Sequence, residues 1–289
     1  RTRRPVQDAL KDRGLTHRFA GSKDRSAIGN LVFDVLRRKA SLAAIMGSDS
    51  PRALALAAAV RLWGRGVESL ETLFAEDKFA PPPLTEDERG ALAGGAVPAD
   101  APDWVKGDYP EWLAASLARA FGDRVVEEGE ALAGRADVDL RVNTLKSAQE
   151  QVLAGLTHLK AEPCRWSPIG IRIPAVDGDL RPGPGSSDLA YKKGWFEVQD
   201  EGSQLLGLLV QPRRGEMVAD FCAGAGGKTL LLGALMRSQG RLYAFDVSEK
   251  RLSKLKPRLA RSGLSNVHPV RIEREHDANV KRLAGKLDR

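Results

Sequence analysis

The stretch Glu216–Val247, EMVADFCAGAGGKTLLLGALMRSQGRLYAFDV, decides the fold class of this chain. It contains two apolar runs with the pattern of buried parallel strands, at 216–223 and 241–247, and a leucine-rich helical segment between them. A second helical segment, with Ser248 as its N-cap, and a third strand at 266–273 follow. This β-α-β-α-β order predicts one half of an α/β, doubly wound, Rossmann-like sheet.

The turn after the first strand, DFCAGAGGKT at 220–229, ends like a nucleotide phosphate loop. A Walker A loop requires glycine six positions before its lysine, where this chain has Cys222. The dinucleotide fingerprint requires a third glycine where this chain has Thr229. The pattern therefore argues against a P-loop NTPase and against the dinucleotide fingerprint, so the turn is expected to bind another kind of ligand.

The residue types around this turn favour a nucleoside without a polyphosphate. Small residues let a ligand approach the backbone, and the N-terminus of the following helix offers free N–H groups to a carboxylate. Asp246 ends the second strand, where an acidic residue typically binds ribose hydroxyls, and Asp277 after the third strand could reach an adenine amino group. S-adenosylmethionine fits this description. Taken singly, Asp277 could equally be a helix N-cap and Lys228 a surface charge.

The rest of the chain divides into two further parts that differ in their residue pattern. Residues 1–130 have helical periodicity, which predicts a helical N-terminal domain in which Thr85 is an N-cap. Residues 131–195 mix short strands and helices, as in a small α+β module, and Ser147 with Glu150 has the spacing of a capping box. Residues 196–289 would be the N-terminal half of the Rossmann-like domain.

Composition narrows the class of protein. The 289 residues are 42% hydrophobic and carry a net charge of +7. This charge favours a polyanionic partner such as nucleic acid, but it is equally typical of an ordinary soluble basic protein. No apolar run approaches the roughly 20 residues of a membrane span, so we expect a cytoplasmic protein. We also expect it to be a monomer. Only two cysteines occur, Cys164 and Cys222, and without a CxxC pair neither a disulfide framework nor a metal site is expected.

Several motifs resemble the NOP/NOL/Sun (RsmB-like) family of RNA (cytosine-5) methyltransferases. They are WFEVQDEGSQL at 195–205, DFCAGAGGKT at 220–229 and FDVSEKRL at 245–252. The usual family loop reads D-x-C-A-A-P-G-G-K-T, so Gly224 and Ala225 replace an alanine and a proline here. LRVNTLK at 140–146 is similar to the segment before the catalytic domain, and HRFAGSKDR at 17–25 to the opening of the helical extension in bacterial ribosomal RNA members.

The resemblance implies a methyl donor, S-adenosylmethionine, and an RNA partner, in particular ribosomal RNA. It implies that Asp246 holds the ribose hydroxyls and Asp277 the adenine. The methionine part and the ribose would lie along Cys222, Ala223, Gly224, Ala225, Gly226, Gly227 and Lys228. Basic side chains that would contact RNA phosphates, or simply form a solvated face, are Arg18, Lys23, Arg25, Lys192 and Lys193.

Methylation of cytosine C5 requires a thiolate that adds to C6 and makes C5 nucleophilic. In the family this cysteine lies in a T-C motif and a second one in D-A-P-C, and neither motif occurs here. We expect Cys222 to be a buried small residue of the loop and Cys164 to be structural, so no catalytic residue is assigned. With three of seven expected strands, the sequence is expected to be a fragment. The alternative is an RNA-binding protein that has lost catalysis but retains the donor loop.

Overall fold

In the computed structural model, which describes residues 4–76, 78–176, 178 and 188–289, the chain forms two compact units. Of the described residues, those within 1–135 and 176–181 belong to the first unit. Those within 136–175 and 182–289 belong to the second. The small α+β module and the Rossmann-like part, which the sequence separated at residue 195, therefore lie in one unit.

The first unit is helical. Its core is formed by leucines and alanines of several helices, among them Leu42, Leu54, Ala57 and Leu92. The helices are α1 (Val6–Thr16), α2 (Ser22–Arg37), α3 (Lys39–Met46), α4 (Pro51–Arg61), α5 (Val67–Glu76), α6 (Glu86–Gly94), α7 (Asp103–Lys106), α8 (Ala114–Phe121) and α9 (Val125–Ala133).

The predicted N-cap at Thr85 is confirmed. Thr85 Oγ1 accepts a hydrogen bond from Glu88 N at 3.1 Å, and the Glu88 carboxylate accepts one from Thr85 N at 3.0 Å. This reciprocal pair satisfies two N–H groups that the first turn of α6 leaves open.

The second unit begins with a four-stranded antiparallel sheet of order β2-β3-β1-β4. Its core contains Leu140, Ile171 and Phe196, each fully buried. The elements are β1 (Val138–Val142), α10 (Gln149–Gly155), β2 (Glu162–Pro163), β3 (Gly170–Ile173), α11 (Leu189–Lys192) and β4 (Phe196–Val198). Because β4 pairs with β1, this sheet continues past residue 195.

The capping box predicted at Ser147 and Glu150 is wrong. The residue before α10 is Ala148, and no side chain caps the helix. The N–H groups of Lys146 and Ser147 both bond to Asn143 O, which places Ser147 in the preceding turn. Its hydroxyl bonds to Gln151 Oε1 instead, at 2.9 Å.

The remainder of the unit is the predicted β-α-β-α-β arrangement, with a parallel sheet of order β5-β6-β7. Its elements are α12 (Glu201–Leu209), β5 (Met217–Asp220), α13 (Gly227–Leu235), β6 (Arg241–Asp246), α14 (Glu249–Ser262), β7 (Val267–Arg271) and α15 (Ala278–Lys281). Ser248 caps α14 as predicted, accepting from Arg251 N. The main chain of Asp288 and Arg289 hydrogen bonds to Met217 and Ala219 of β5.

No helix in the described part of the chain has both the length and the apolar character needed to cross a bilayer.

An ion-pair network joins the two sheets of the second unit. Glu197 of β4, which is 5% exposed, accepts hydrogen bonds from Arg258 Nε at 2.9 Å and from an Arg261 guanidinium nitrogen at 2.6 Å. Both arginines lie on α14, which packs against β6 and β7. The antiparallel sheet is thereby fixed against the helix that supports the parallel one.

We expect Glu197→Gln to lower the free energy of unfolding by about 3 kcal/mol, because it leaves two poorly solvated guanidinium groups without a counter-charge. Chemical unfolding followed by circular dichroism measures this loss. The control is Glu216→Gln, whose carboxylate pairs with the more exposed Arg289 and which we expect to destabilise the protein clearly less. Equal losses for the two variants would contradict the role given to the network.

Gly226, the residue before α13, has two separate reasons to be glycine. Its φ of +86° lies in the left-handed region, and a Cβ there would lie 2.1 Å from Leu255 Cδ1 of α14. Gly215 has the same φ of +86°, but a Cβ there would meet nothing within 4 Å. The two positions therefore separate backbone strain from close packing.

Gly215→Ala is expected to lower the free energy of unfolding by about 1 kcal/mol through backbone strain alone. Gly226→Ala is expected to cost about 1 to 3 kcal/mol more, since α14 must move to admit the methyl group. Thermal and chemical unfolding of both variants would test this difference. A Gly226→Ala protein no less stable than Gly215→Ala would show that the contact with Leu255 does not constrain the turn.

Candidate functional site

The glycine-rich turn, residues 221–227, connects β5 to α13 at the carboxyl edge of the parallel sheet. Ala223 N donates to Phe245 O of β6 at 2.8 Å, and Gly226 N donates to Ala223 O at 2.8 Å. Gly224 and Gly226 have φ values of +57° and +86°. Two left-handed residues and two short hydrogen bonds fold the turn tightly over the ends of the strands.

Asp246 lies at the same edge, as the last residue of β6, and is 5% exposed. Its Oδ2 accepts a hydrogen bond from Gly224 N at 2.8 Å, and its Oδ1 accepts one from Ser248 N at 2.8 Å. The structure thus brings together the glycine-rich turn and the acidic residue that the sequence placed in one site. Each carboxylate oxygen can still accept a second hydrogen bond from a ligand.

Two arginines hold the carbonyl groups of the turn. Arg258 donates to Ala225 O at 2.8 Å, and Arg141 of β1 donates to Gly227 O at 3.0 Å. Burial lowers the pKa of Arg141 to about 10, with the nearby Arg258 adding to the effect and Glu197 opposing it. Sequence reasoning missed both arginines. The available signal was a charged residue within an apolar strand, since Arg141 lies between Leu140 and Val142.

Other N–H groups in and next to the turn have no acceptor among the described residues. Within residues 188–289, Ala225, Gly227 and Lys228 donate no main-chain hydrogen bond. They lie at the positive end of α13, whose start is anchored by a hydrogen bond of 2.7 Å from Thr229 Oγ1 to Asp220 Oδ2. Open donors at a helix N-terminus suit a carboxylate.

Two side chains in or next to the turn, those of Cys222 and Lys228, are exposed. The expectation that Cys222 is buried is wrong, because β5 ends at Asp220 and the cysteine lies outside its hydrogen-bonded ladder. Lys228 is also exposed, and it forms no ion pair with any described residue. Their exposure leaves both side chains accessible to solvent.

The carboxylate of Asp277 forms hydrogen bonds with backbone N–H groups close to it in the chain. It caps α15 by accepting from Asn279 N at 2.8 Å, and it accepts from Glu273 N at 3.2 Å. These backbone hydrogen bonds lower the pKa of Asp277. They account for the residue as a helix cap, and its contact with an adenine stays a prediction.

A second cluster of metal-ligating residue types lies in the antiparallel sheet, where Asp139, Cys164 and Glu201 approach within 4.8 Å of one another. Arg172 donates to Asp139 at 2.8 Å and to Glu201 at 3.4 Å, which neutralises much of the carboxylate charge. Burial, aided by the two carboxylates, raises the pKa of Cys164 to about 12. The thiol therefore stays protonated, and the cluster is better suited to packing than to binding a cation or attacking a substrate.

The basic residues proposed to contact RNA occur in both units. Arg18, Lys23 and Arg25 are exposed in the helical unit, beside Phe19, which is 87% exposed. Lys192 and Lys193 are exposed in the second unit, and Lys193 Nζ lies 4.9 Å from the centre of the Trp195 ring. Cations beside aromatic rings are a common feature of surfaces that bind single-stranded nucleic acid.

Two family models match the chain. The model described as 16S rRNA methyltransferase RsmB/F matches residues 207–289, which contain the parallel sheet and the glycine-rich turn. The model described as the ferredoxin-like domain of RsmF/B-like methyltransferases matches residues 109–176.

Similar proteins agree with these models. A probable ribosomal RNA small subunit methyltransferase B from Synechocystis is 31% identical over 162 residues, which are 55% of this chain and 35% of that protein. The chain spans about a third of the length of the curated relatives it matches. The solved structure of PH0851 shares the fold, with a TM-score of 0.62 and 21% identity over 92% of this chain and 65% of that chain.

A methyltransferase homologue from Pyrococcus horikoshii has a TM-score of 0.53 and 28% identity, covering 64% of this chain and 59% of that one. The partial Rossmann-like methyltransferase fold expected from the sequence is confirmed by these likenesses. The two family models, the curated relatives and the motifs at 195–205, 220–229 and 245–252 together support the NOP/NOL/Sun (RsmB-like) family of methyltransferases as the family of this chain.

Proposed function

We propose that this chain is part of a ribosomal RNA cytosine-5 methyltransferase that binds S-adenosylmethionine at the glycine-rich turn and Asp246. The observation that carries the proposal is the hydrogen bond of 2.8 Å between Asp246 Oδ2 and Gly224 N. It places a buried carboxylate directly beside a turn with open N–H groups. Family membership supports the same reading.

The residues present fit the two ends of this donor. The carboxylate of Asp246 accepts hydrogen bonds from ribose hydroxyls, while the N–H groups at the start of α13 bind the carboxylate of the methionine part. Ala223, Gly224 and Ala225 are small enough to let the nucleoside lie against the backbone. When bound, S-adenosylmethionine supplies an electrophilic methyl group, and these residues hold and orient it.

No nucleophile for the cytosine ring is assigned to this chain. Cys164 is unsuitable because its thiol is buried and its pKa is raised to about 12. Cys222 is exposed, but it lies in the turn that we propose holds the donor. The choice of cytosine C5 as the acceptor rests on the family alone.

The proposal includes an RNA partner, specifically ribosomal RNA, as well as a monomeric state and a cytoplasmic location. The second candidate is an RNA-binding protein that retains the donor turn without catalysis, and the open N–H groups of the turn are compatible with it. A P-loop NTPase is disfavoured by Cys222 at the position of the first Walker glycine.

Asp246→Asn is expected to weaken the binding of S-adenosylhomocysteine at least tenfold, because the charged acceptor of the ribose hydroxyls is lost. Isothermal titration calorimetry on the wild-type chain and the variant measures the change. Glu249→Gln removes one exposed negative charge three residues away and serves as the matched control, with affinity unchanged.

Two results would contradict this donor site. The first is equal affinity of the wild-type and Asp246→Asn proteins for S-adenosylhomocysteine. The second is magnesium-dependent binding of ATP by a wild-type chain that ignores S-adenosylhomocysteine, which would favour the NTPase.

The RNA partner predicts a salt-dependent affinity that is reduced when phosphate-contacting cations are removed. For single-stranded ribosomal RNA, replacing Arg18, Lys23 and Arg25 with glutamine should reduce the slope of log K against log salt by about 2, at roughly 0.7 per contact. Fluorescence anisotropy over a salt series measures the slope.

The control triple variant replaces Arg251, Lys254 and Lys256 of α14, all exposed, and so removes the same net charge. Its slope should change less than that of the first triple variant. Equal changes would mean that only overall charge, and no defined surface of the helical unit, attracts the RNA.

A further inference from the structure

Gln199 has a side chain that the fold does not use. The residue directly follows β4, is 8% exposed, and its Oε1 is buried with no hydrogen-bond partner. Its Nε2 also donates no hydrogen bond to any described residue. Buried amides are rarely left unpaired, because each loses its hydrogen bonds to water.

The backbone of Gln199 accounts for its structural role. Its N–H donates to Asp139 O of β1 at 3.0 Å, and its carbonyl accepts from Gln204 Nε2 at 2.8 Å. Gln204 is the contrasting case, since its own amide also bonds to Leu140 O and to the hydroxyl of Ser167. The two neighbouring glutamines thus differ in whether the protein satisfies their side chains.

The unpaired amide faces the start of α13. Gln199 Nε2 lies 3.4 Å from the position that a Cβ on Gly227 would occupy. Gly227 is the first residue of this nine-residue helix, and its N–H and that of Lys228 are among the open donors of the turn. A side-chain donor and two backbone donors therefore converge on one small region of positive potential.

We propose that Gln199 is a binding residue for the carboxylate at the amino-acid end of the methyl donor, acting with the N–H groups at the start of α13. This inference rests on the proposed function and adds a residue from the antiparallel sheet to the donor site. An α-carboxylate has the charge that the helix N-terminus favours and accepts several hydrogen bonds at once. Its arrival gives the amide of Gln199 the partner that the protein does not supply.

The test compares two ligands that differ only at the end in question. S-adenosylhomocysteine carries the amino-acid end, and 5′-methylthioadenosine has the same nucleoside and thioether without it. Titration calorimetry on the full chain should show that Gln199→Ala weakens S-adenosylhomocysteine at least tenfold while changing methylthioadenosine less than twofold. Gln199→Glu should weaken S-adenosylhomocysteine further, because two carboxylates then repel each other.

Gln204→Ala is the matched control for a structural glutamine. It should lower the thermal stability and should not discriminate between the two ligands. Equal weakening of both ligands by Gln199→Ala, or no change in either, would overturn the inference while leaving the donor site intact. A wild-type chain that binds neither ligand would instead contradict the proposed function, and this inference with it.

Discussion

In the glycine-rich turn, backbone carbonyl groups and backbone N–H groups have different partners. Its carbonyl oxygens at Ala225 and Gly227 accept hydrogen bonds from Arg258 and Arg141. The N–H groups of Ala225 and Gly227 have no acceptor in the described part of the chain, whereas that of Gly224 donates to Asp246 and those of Ala223 and Gly226 close the turn. These two carbonyls are therefore paired with cations, while the N–H groups of the same two residues stay available.

The antiparallel sheet has a direct part in this arrangement. Arg141 lies on β1, and Glu197 on β4 pairs with Arg258 and Arg261 of α14. The lowered pKa of Arg141 indicates how poorly solvated its charge is, and Glu197 is the acid that opposes this effect. Without the antiparallel sheet, the turn would lose Arg141, and Arg258 would lose its counter-charge, Glu197. This dependence gives a physical reason for the two sheets to form one unit.

The sequence predicted the elements whose signals are local. The apolar runs of β5 and β6 and the N-caps at Thr85 and Ser248 could be identified because each is set by residues close together in the chain. Asp246 was identifiable since parallel strands end at a common edge.

What the sequence could not provide were contacts between distant segments. Arg141 and Gly227 are 86 residues apart, and Ser147 had the spacing of a cap but was already part of a turn closed by Asn143. Gln199 illustrates the same limit. It lies in the motif at 195–205, which predicted a family, but only the structure shows that its side-chain oxygen has no hydrogen-bond partner among the described residues.

Asp246 and Asp277 are two aspartates that follow strands of the parallel sheet, but they are not equally good evidence for a ligand site. Each accepts two main-chain N–H hydrogen bonds. Those of Asp277 are the ones expected of a cap on a four-residue helix, so they require no ligand to explain them. One of the two at Asp246 comes from the turn after a different strand, 22 residues away, and the carboxylate is buried. A buried acid that links two strand ends holds its position before any ligand arrives, and this preorganisation favours binding.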